Sequence, residues 1–266
     1  MAEADDSMES WERNDPPSLY DTSLYKCVEK VEVFCTVSKH SNGLCLRENI
    51  NLPSKVAEDI ISAYKHKQRE QYNLSIGDEF FNIFQHPDRS RLSILDLSNT
   101  HVTHKCFKQL MQHKPVKLDV SNNFDLAWAK VLKIVNMSGS NLQSINLGSL
   151  LEDDDGEHDD SSDESDTEDD EYPQLKCRNL RALTMHGHSN DVNMFGINNL
   201  RITEVFPSLI SNLTKLTYLD ISSCHIYVEE LDFSQVPHLR SLNLADIKFR
   251  QLRPVFLAIT HAKLLR

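Results

Sequence analysis

One leucine spacing recurs along the second half of the chain and constrains the fold more than any other feature. Its first copy reads Leu92-x-x-Leu95-x-Leu97-x-x-Thr100. Later copies start at Leu142, Leu180, Leu216 and Leu239, and a weaker copy reads Leu118-x-Val120-x-x-Asn123. Because side chains alternate along a strand, the L-x-L core predicts a short strand with both apolar side chains on one buried face. One such unit cannot bury that face alone, so neighbouring units must stack.

This spacing is the signature of leucine-rich repeats, and it predicts an α/β fold built as a leucine-rich-repeat solenoid. The Asn, Cys or Thr that follows each strand can hydrogen-bond the backbone where the chain bends away. Between strands we expect helices at 105–113 and 127–135. The interval from Leu183 to Leu219 is long without any low-complexity insert, which predicts an extra helix or helical loop there.

The negative charge of the chain is concentrated in one insert within the repeats. The 266-residue chain carries a net charge of −12, yet 14 of its 40 acidic side chains lie in residues 152–171, leaving 26 against 28 basic ones elsewhere. A segment with almost no apolar side chains cannot offset its ordering entropy, so we expect a disordered loop projecting from the solenoid. Ser161, Ser165 and Thr167 each precede an acidic residue by three positions and are candidate sites for an acidophilic kinase.

Composition and missing motifs narrow the function classes. Residues 1–17 are polar and acidic, which predicts a disordered N-terminus and no signal peptide. No apolar run is long enough to predict a membrane span, so no membrane partner is expected. Six cysteines without CxxC pairs predict reduced thiols and a cytoplasmic or nuclear location. Without zinc spacings, phosphate loops or nucleophile motifs, we expect no enzyme activity, catalytic residue, metal, cofactor or nucleic-acid partner.

A helix is predicted from Ser18 to about Cys35, after Asp15-Pro16-Pro17. Leu19, Ser23, Cys27 and Val31 recur every fourth residue and predict one stripe along it, widened by Leu24, Val28 and Phe34. A leucine anchor, a small residue one turn later and an apolar residue a further turn on together resemble the elongin C-binding box, which docks as a helix in a groove. The alternative is an amphipathic helix that packs on its own core.

A second helix begins at Leu52-Pro53, after a predicted turn at Ser41-Asn42-Gly43. Its Leu52-Pro53-x-x-Val56 start resembles the cullin-two box that follows an elongin C box in VHL-box proteins. Val56, Ile60, Ile61 and Tyr64 form its predicted apolar face. The aromatic cluster Phe80, Phe81, Ile83 and Phe84 then precedes the first repeat and is predicted to cap the open end of the solenoid.

This order of two boxes, aromatic cluster and repeats resembles the Zyg-eleven and Zer-one family of VHL-box substrate receptors for cullin-two RING ubiquitin ligases. The resemblance implies a small helical VHL-box-like domain at 18–85 and repeats at 86–266. It implies that Leu19, Ser23 and Cys27 bind elongin C, with elongin B attached. It implies that Leu52, Pro53 and Val56 bind cullin-two with its RING subunit, while a protein substrate is held elsewhere.

Two departures from the family pattern are visible. Family members usually have Cys where this chain has Ser23, which exchanges one small side chain for another. The family continues into an armadillo domain that holds the pocket for N-terminal glycine, whereas this sequence ends at Arg266. We therefore expect no glycine-degron pocket in this chain.

Two alternatives to the receptor hypothesis remain open from the sequence. One is an acidic leucine-rich nuclear protein that binds histones or other basic partners through residues 152–171. Such proteins carry the acidic run after their repeats, whereas here it lies between repeats. The other is a plain repeat scaffold with no link to a ligase.

We predict that deleting residues 152–171 lowers the melting temperature by no more than a few degrees. The segment has no apolar side chains to contribute to a core, and the closure entropy of a loop changes slowly with its length. Thermal melting followed by circular dichroism tests this prediction. Any binding to basic proteins through the carboxylates of this segment should weaken with added salt, because salt screens such contacts. This binding should disappear when the segment is deleted. A large loss of stability would instead assign the insert to the folded core.

Overall fold

The computed structural model describes residues 18–37, 44–71, 76–123, 125–150, 174–186, 209–224 and 233–246. The described part begins with helix α1 (Leu19–Glu29), hairpin strands β1 (Cys35–Val37) and β2 (Leu44–Leu46), helix α2 (Ser54–Gln71) and short helix α3 (Asp78–Phe81). The repeats follow, with strands β3 (Ile94–Asp96), β4 (Lys117–Asp119), β5 (Ser144–Asn146), β6 (Ala182–Thr184), β7 (Tyr218–Asp220) and β8 (Ser241–Asn243). Helices α4 (His104–Leu110) and α5 (Trp128–Ser138) lie between the first three of these strands.

The six repeat strands form one parallel sheet in chain order, from β3 to β8. The central leucine of each predicted L-x-L core pairs with its equivalent in the next strand, as Leu95 does with Leu118 and Leu219 with Leu242. Five of these six central side chains are buried, and Leu242 is partly buried against the same core. The leucine-rich-repeat prediction is confirmed, and the weaker copy at Leu118 is a full repeat.

Five of the six repeats turn in the same way after their strands, and the turn after β6 lies partly outside the described residues. The carboxylate of Asp96 accepts a hydrogen bond from the backbone of Ser98 at 3.0 Å, and Asp220 accepts one from Ser222 at 2.9 Å. One residue later the backbone is left-handed, with φ between 53° and 56° at Asn99, Asn122, Ser149, Ser223 and Asp246. Asn and Asp adopt this conformation more readily than most residues. The turn is therefore encoded by short polar side chains at fixed offsets from the strand.

The expected hydrogen bonds at the next repeat position are present. The hydroxyl of Thr100 donates to the carbonyl of Leu97 at 2.6 Å, and the Cys224 thiol donates to the carbonyl of Met185 at 2.6 Å. Asn123 instead donates its side-chain amide to the hydroxyl of Thr100 at 3.0 Å. These buried polar side chains tie each bend to the preceding turn or the preceding repeat.

Helix α2 covers the open edge of the sheet. A single carboxylate oxygen of Glu58 accepts the backbone amides of Ser93 and Ile94, at 2.7 and 2.9 Å. The buried Lys65 ammonium donates to the Asp96 carboxylate and, at 2.9 Å, to the Ser98 hydroxyl. An uncovered edge strand presents unpaired amides to any passing strand, so these contacts close the first end of the array.

The aromatic cluster packs with α2 at the first end of the sheet, and together they form what we call the cap. Phe80, Phe81, Ile83 and Phe84 are buried, in agreement with the prediction from the sequence. The ring of Tyr64 on α2 stacks on Phe80, with their centroids 3.9 Å apart. The Asp78 carboxylate accepts the Thr103 backbone amide at 2.8 Å, which ties the cap to the start of α4.

The first predicted helix is too long. Helix α1 ends at Glu29 because Lys30 leaves the helical region with φ of −128°, and a 3₁₀ turn occupies Val31–Val33. Cys35 starts strand β1, which pairs antiparallel with β2. The N-terminal unit is therefore not purely helical. The Asn42-Gly43 dipeptide predicted as a turn is a typical hairpin signal, and it lies outside the described residues.

The other helix predictions agree with the described residues. Helix α2 starts where the Leu52-Pro53 pattern predicts it. Helix α4 and the 3₁₀ turn at Met111–His113 cover the predicted stretch at 105–113, and α5 covers the stretch at 127–135. The predicted N-terminal disorder, the acidic insert and the extra helix between Leu183 and Leu219 all lie outside the described residues.

His113 joins the cap to the first repeat through its imidazole ring. The ring is 3% exposed. Its Nδ1 atom accepts the Leu92 backbone amide at 3.0 Å, and its Nε2 atom donates to the Phe84 carbonyl at 2.6 Å. Since Nδ1 accepts, the ring is neutral. Burial lowers the pKa of His113, and nearby His86 lowers it further, against the opposing effect of the Phe84 carbonyl.

We predict an acid-dependent loss of stability that originates at His113. The unfolded chain takes up a proton near the ordinary pKa of 6.5, whereas the folded chain does so only at lower pH. The stabilisation by neutral His113 is thus complete above that value and is lost as the pH falls below it. The free energy of unfolding should fall by up to about 1.4 kcal/mol per pH unit in that window.

Urea denaturation between about pH 7.5 and about pH 5 measures this slope. The variant His113→Gln should be less stable at neutral pH and should show a shallower dependence on pH. Equal slopes in the two proteins would place the acid sensitivity elsewhere.

Candidate functional site

Helix α1 is held in place at its first residue by a capping box. The Ser18 hydroxyl accepts the Asp21 backbone amide at 3.1 Å, and the Asp21 carboxylate accepts the Ser18 backbone amide at 3.2 Å. Reciprocal bonds of this kind satisfy two helix-end donors and define where the helix begins. Leu19 is therefore the first residue of a helix whose start is fixed by hydrogen bonds.

One side of α1, which we call the inner stripe, attaches the helix to α2 and the core. Val28 is 3% exposed, and Leu24 is partly buried against the same core. The Tyr20 hydroxyl donates to the Asp59 carboxylate of α2 at 2.6 Å, which raises the pKa of Tyr20 to about 12. These three residues follow one another at intervals of four along the helix.

A neighbouring stripe of α1, about 100° around the helix, consists of Leu19, Ser23 and Cys27, and we call it the outer stripe. Leu19 is 84% exposed, and Ser23 and Cys27 are exposed as well. The Ser23 hydroxyl donates to the Leu19 carbonyl at 2.7 Å, so it needs no external partner. The predicted stripe included Val31, which the structure instead places partly buried against the core.

The three residues predicted to contact a cullin lie at the start of α2 in unlike environments. Pro53 is exposed, and its carbonyl accepts the Ala57 backbone amide at 3.0 Å. Leu52 and Val56 are partly buried against the core of this chain. The Leu52 backbone amide also donates to the Arg89 carbonyl at 2.7 Å. Leu52 and Val56 therefore support the fold, and Pro53 is the more accessible of the three.

Helices α1 and α2 run in the same direction. Tyr20 near the start of α1 contacts Asp59, and Tyr25 further along contacts Lys67, whose ammonium lies 5.9 Å from the ring centroid. Both contacts advance towards the C-terminal ends of the two helices. Leu19 of the outer stripe and Pro53 consequently lie towards the same end of the pair formed by α1 and α2, which we call the helical unit.

The exposed face of the repeat sheet carries a row of polar side chains, most of them acidic or amide, that sequence reasoning missed. These are Asp96, Asp119, Asn146, Thr184, Asp220 and Asn243, one per strand. The amide of Asn146 donates to Asp119 at 3.0 Å, and that of Asn243 donates to Asp220 at 3.0 Å. The sequence does contain a signal for this row, because each of its members is the residue between the two apolar residues of an L-x-L core.

The carboxylates of this row are already engaged within the protein. Burial would raise the pKa of Asp220, but hydrogen bonds from Ser222, Asn243 and Tyr218 outweigh it and lower the pKa. Burial likewise opposes ionisation of Asp96, and the Lys65 ammonium together with Ser98 lowers its pKa. The carboxylates thus order the turns of the solenoid in their ionised form.

Two buried cysteines are unsuited to nucleophilic chemistry, and the described residues form no metal site. Burial raises the pKa of the Cys35 thiol to about 12 and that of Cys177 to about 11, so neither forms a thiolate near neutral pH. Within these ranges no group of three or more His, Cys, Asp or Glu side chains could hold a metal ion. None of the helices described is long and apolar enough to cross a membrane. Ser161, Ser165 and Thr167 lie outside the described residues.

Comparison with known proteins finds no family for the chain and only distant structural neighbours. No protein-family model matches it, and no curated protein is significantly similar in sequence. Among solved structures it is similar to an internalin (inlF) from Listeria monocytogenes, with 13% identity, a TM-score of 0.39 and 71% of this chain covered. It is also similar to internalin C2 from the same species, with 15% identity, a TM-score of 0.36, and coverage of 89% of this chain and 88% of that chain.

The chain spans 49% of the first internalin. At these identities and TM-scores the likeness carries no argument about this chain. The leucine-rich-repeat architecture itself follows from the sheet order and from the repeated turn geometry described above.

Proposed function

We propose that this chain is the substrate-recognition subunit of an elongin B/C–cullin-two RING ubiquitin ligase, working in the cytoplasm or nucleus without chemistry of its own. The observation that carries the proposal is the exposed outer stripe of α1. Leu19, Ser23 and Cys27 form it, and they are the residues that resemble the elongin C box. The coarser description, a leucine-rich-repeat protein-interaction scaffold, does not depend on the identity of the adaptor.

The division of α1 into two stripes supports docking of a partner. A helix that packs only on its own core would bury its leucine anchor, whereas Leu19 is 84% exposed. The inner stripe alone attaches α1 to α2, through Val28 and the Tyr20–Asp59 hydrogen bond. The outer stripe therefore remains available to a groove on another protein.

The ends and contacts of α1 also favour binding. The capping box at Ser18 and the attachment to α2 order the helix before any partner arrives. Preordering removes part of the entropy cost that a flexible segment would incur on binding. The small side chain of Ser23 permits close approach of the partner backbone, while Leu19 enters a pocket and Cys27 completes the apolar stripe.

Cullin contact is proposed around Pro53, with smaller contributions from Leu52 and Val56. Pro53 is exposed and lies towards the same end of the unit as Leu19, so one bound elongin–cullin assembly can reach both. The partial burial of Leu52 and Val56 leaves less of their surface for a partner. Bound in this way, the repeats would hold a protein substrate close to the charged ubiquitin-conjugating enzyme and raise the effective concentration of its lysines.

We predict that Leu19→Ala lowers the affinity for the elongin B/C complex by about thirtyfold, equivalent to about 2 kcal/mol for one truncated anchor. Its own stability should change by less than about 0.5 kcal/mol, because the side chain makes little contact with the core. Isothermal titration with purified elongin B/C measures the first quantity, and urea denaturation measures the second.

Two variants control this experiment. Met137→Ala truncates another large side chain, 69% exposed on α5, and should leave elongin binding unchanged. Val28→Ala removes a buried side chain of the inner stripe and should cost on the order of 2 kcal/mol of stability. If Leu19→Ala destabilises the protein as much as Val28→Ala does, or binds elongin B/C normally, the box hypothesis is wrong.

Cullin selection provides a separate prediction. The double variant Leu52→Ala with Pro53→Ser should weaken association with cullin-two more than association with elongin B/C. Because Leu52 also packs on the core, Pro53→Ser alone is measured beside it, with melting temperatures for both. Co-precipitation with reconstituted partners gives the two affinities. Equal loss of both partners would indicate that the start of α2 only supports the fold.

A further inference from the structure

A groove with basic side chains lies where the chain enters the last three strands. It is lined by Arg181, Lys215, Thr217, His238 and Arg240. All of these side chains are exposed except Thr217, which is partly exposed. The groove lies in the second half of the repeats, away from the helical unit that carries the outer stripe.

Strand register brings these residues together. Arg181, Thr217 and Arg240 directly precede β6, β7 and β8, whose first residues are paired across the sheet. Neighbouring strands are about 4.8 Å apart, so the two arginines flank Thr217 at a backbone separation of about 10 Å. Lys215 and His238 occupy a second row, two residues earlier in their repeats.

The basic character is specific to these repeats. The residues that directly precede β3, β4 and β5 are Ser93, Val116 and Gln143, which carry no charge. A general requirement of the repeat fold therefore does not explain arginines at Arg181 and Arg240. The floor of the groove is ordered by Thr217, whose hydroxyl donates to the Arg181 carbonyl at 3.0 Å.

The cations of the groove are not neutralised within the described part of the chain. Arg181, His238 and Arg240 form no ion pair with a described residue. Lys215 donates to the neutral side chain of Asn179 at 2.9 Å. The carboxylate of β7, Asp220, lies at the far end of its strand and accepts hydrogen bonds from Ser222 and Asn243. Among the described residues, the groove is therefore a concentration of positive charge without a neighbouring carboxylate partner, on a chain of net charge −12.

We infer that this groove binds an anionic peptide segment of a partner protein, with the negative group held between Arg181 and Arg240. The guanidinium fork of arginine matches the oxygens of a phosphate or carboxylate in bidentate geometry. Lys215 and His238 would contact flanking acidic side chains along the second row. The inference does not rest on the adaptor that α1 binds.

The number of charges favours a peptide over a nucleic acid. A protein that binds DNA through its phosphates can make about six to ten phosphate contacts, whereas the lining offers only three cations, Arg181, Lys215 and Arg240. The overall negative charge of the chain also repels a long polyanion. A short segment with one phosphorylated residue or a few carboxylates needs no more than the groove provides.

Fluorescence anisotropy with the full-length chain tests the inference. The probes are a labelled acidic peptide containing one phosphoserine, the same peptide unphosphorylated, and a peptide with Asp in place of phosphoserine. Binding should be salt-sensitive, and the double variant Arg181→Ala with Arg240→Ala should weaken it by about tenfold or more, since charge-assisted hydrogen bonds are lost. Preference for the phosphorylated probe identifies phosphate as the ligand group, and equal binding of the Asp probe identifies carboxylate.

Arg91→Ala is the matched control, because Arg91 is exposed at the second-row position of the first repeat. Arg91→Ala should leave peptide binding unchanged. The arginine variants should have the same melting temperature as the parent chain. A variant lacking residues 152–171 should bind the peptide at least as tightly, since its own carboxylates no longer compete. Failure of all three probes to bind, equal effects of Arg91→Ala and the double variant, loss of binding on removing 152–171, or tighter binding of a single-stranded RNA of similar charge would each overturn the inference.

Discussion

The repeat array depends on the closure of its first edge. Strand β3 begins the parallel sheet, and its outward amides would be unpaired without α2. One oxygen of Glu58 accepts two of these amides, and the buried Lys65 ammonium holds the Asp96 carboxylate beside them. Without this cover, the open edge of β3 would invite pairing with other chains. Strands β4 to β8 continue from this closed edge in chain order, and each pairs with the strand before it.

Helix α2 packs on the sheet and so gives α1 a rigid support. The two stripes of α1 can therefore have different roles, one in packing and one in binding. Its inner stripe packs on α2 through Val28 and the Tyr20–Asp59 hydrogen bond. Its outer stripe remains exposed, with Leu19 at 84%. Exposed apolar side chains are ordinary when scattered singly, but Leu19 belongs to a spaced set on a preordered helix. This arrangement supports the proposal that the helical unit binds an adaptor while the sheet stays intact.

The two proposed surfaces lie at different ends of the molecule. The outer stripe belongs to the unit that covers β3, whereas the basic groove is formed by the entries to β6, β7 and β8. Five strand spacings separate β3 from β8, a distance of roughly 25 Å along the sheet. A partner on α1 and an anionic peptide in the groove would therefore not compete for space. Such separation suits a receptor that connects a ligase to a client.

Much of this fold is determined by the sequence alone, because the spacing of apolar residues within each repeat indicates which side chains are buried. The L-x-L pattern predicts every strand of the sheet, and helical periodicity places Leu19, Ser23 and Cys27 on one side of α1. Local pattern could not show that α1 ends at Glu29, because the strand starting at Cys35 is stabilised by a partner further along the chain. It also could not reveal the groove, since Arg181 and Arg240 are far apart in sequence and become neighbours only through strand register. The tertiary structure decided these features because contacts between elements depend on hydrogen-bond pairing across the sheet, which the spacing within one repeat does not specify.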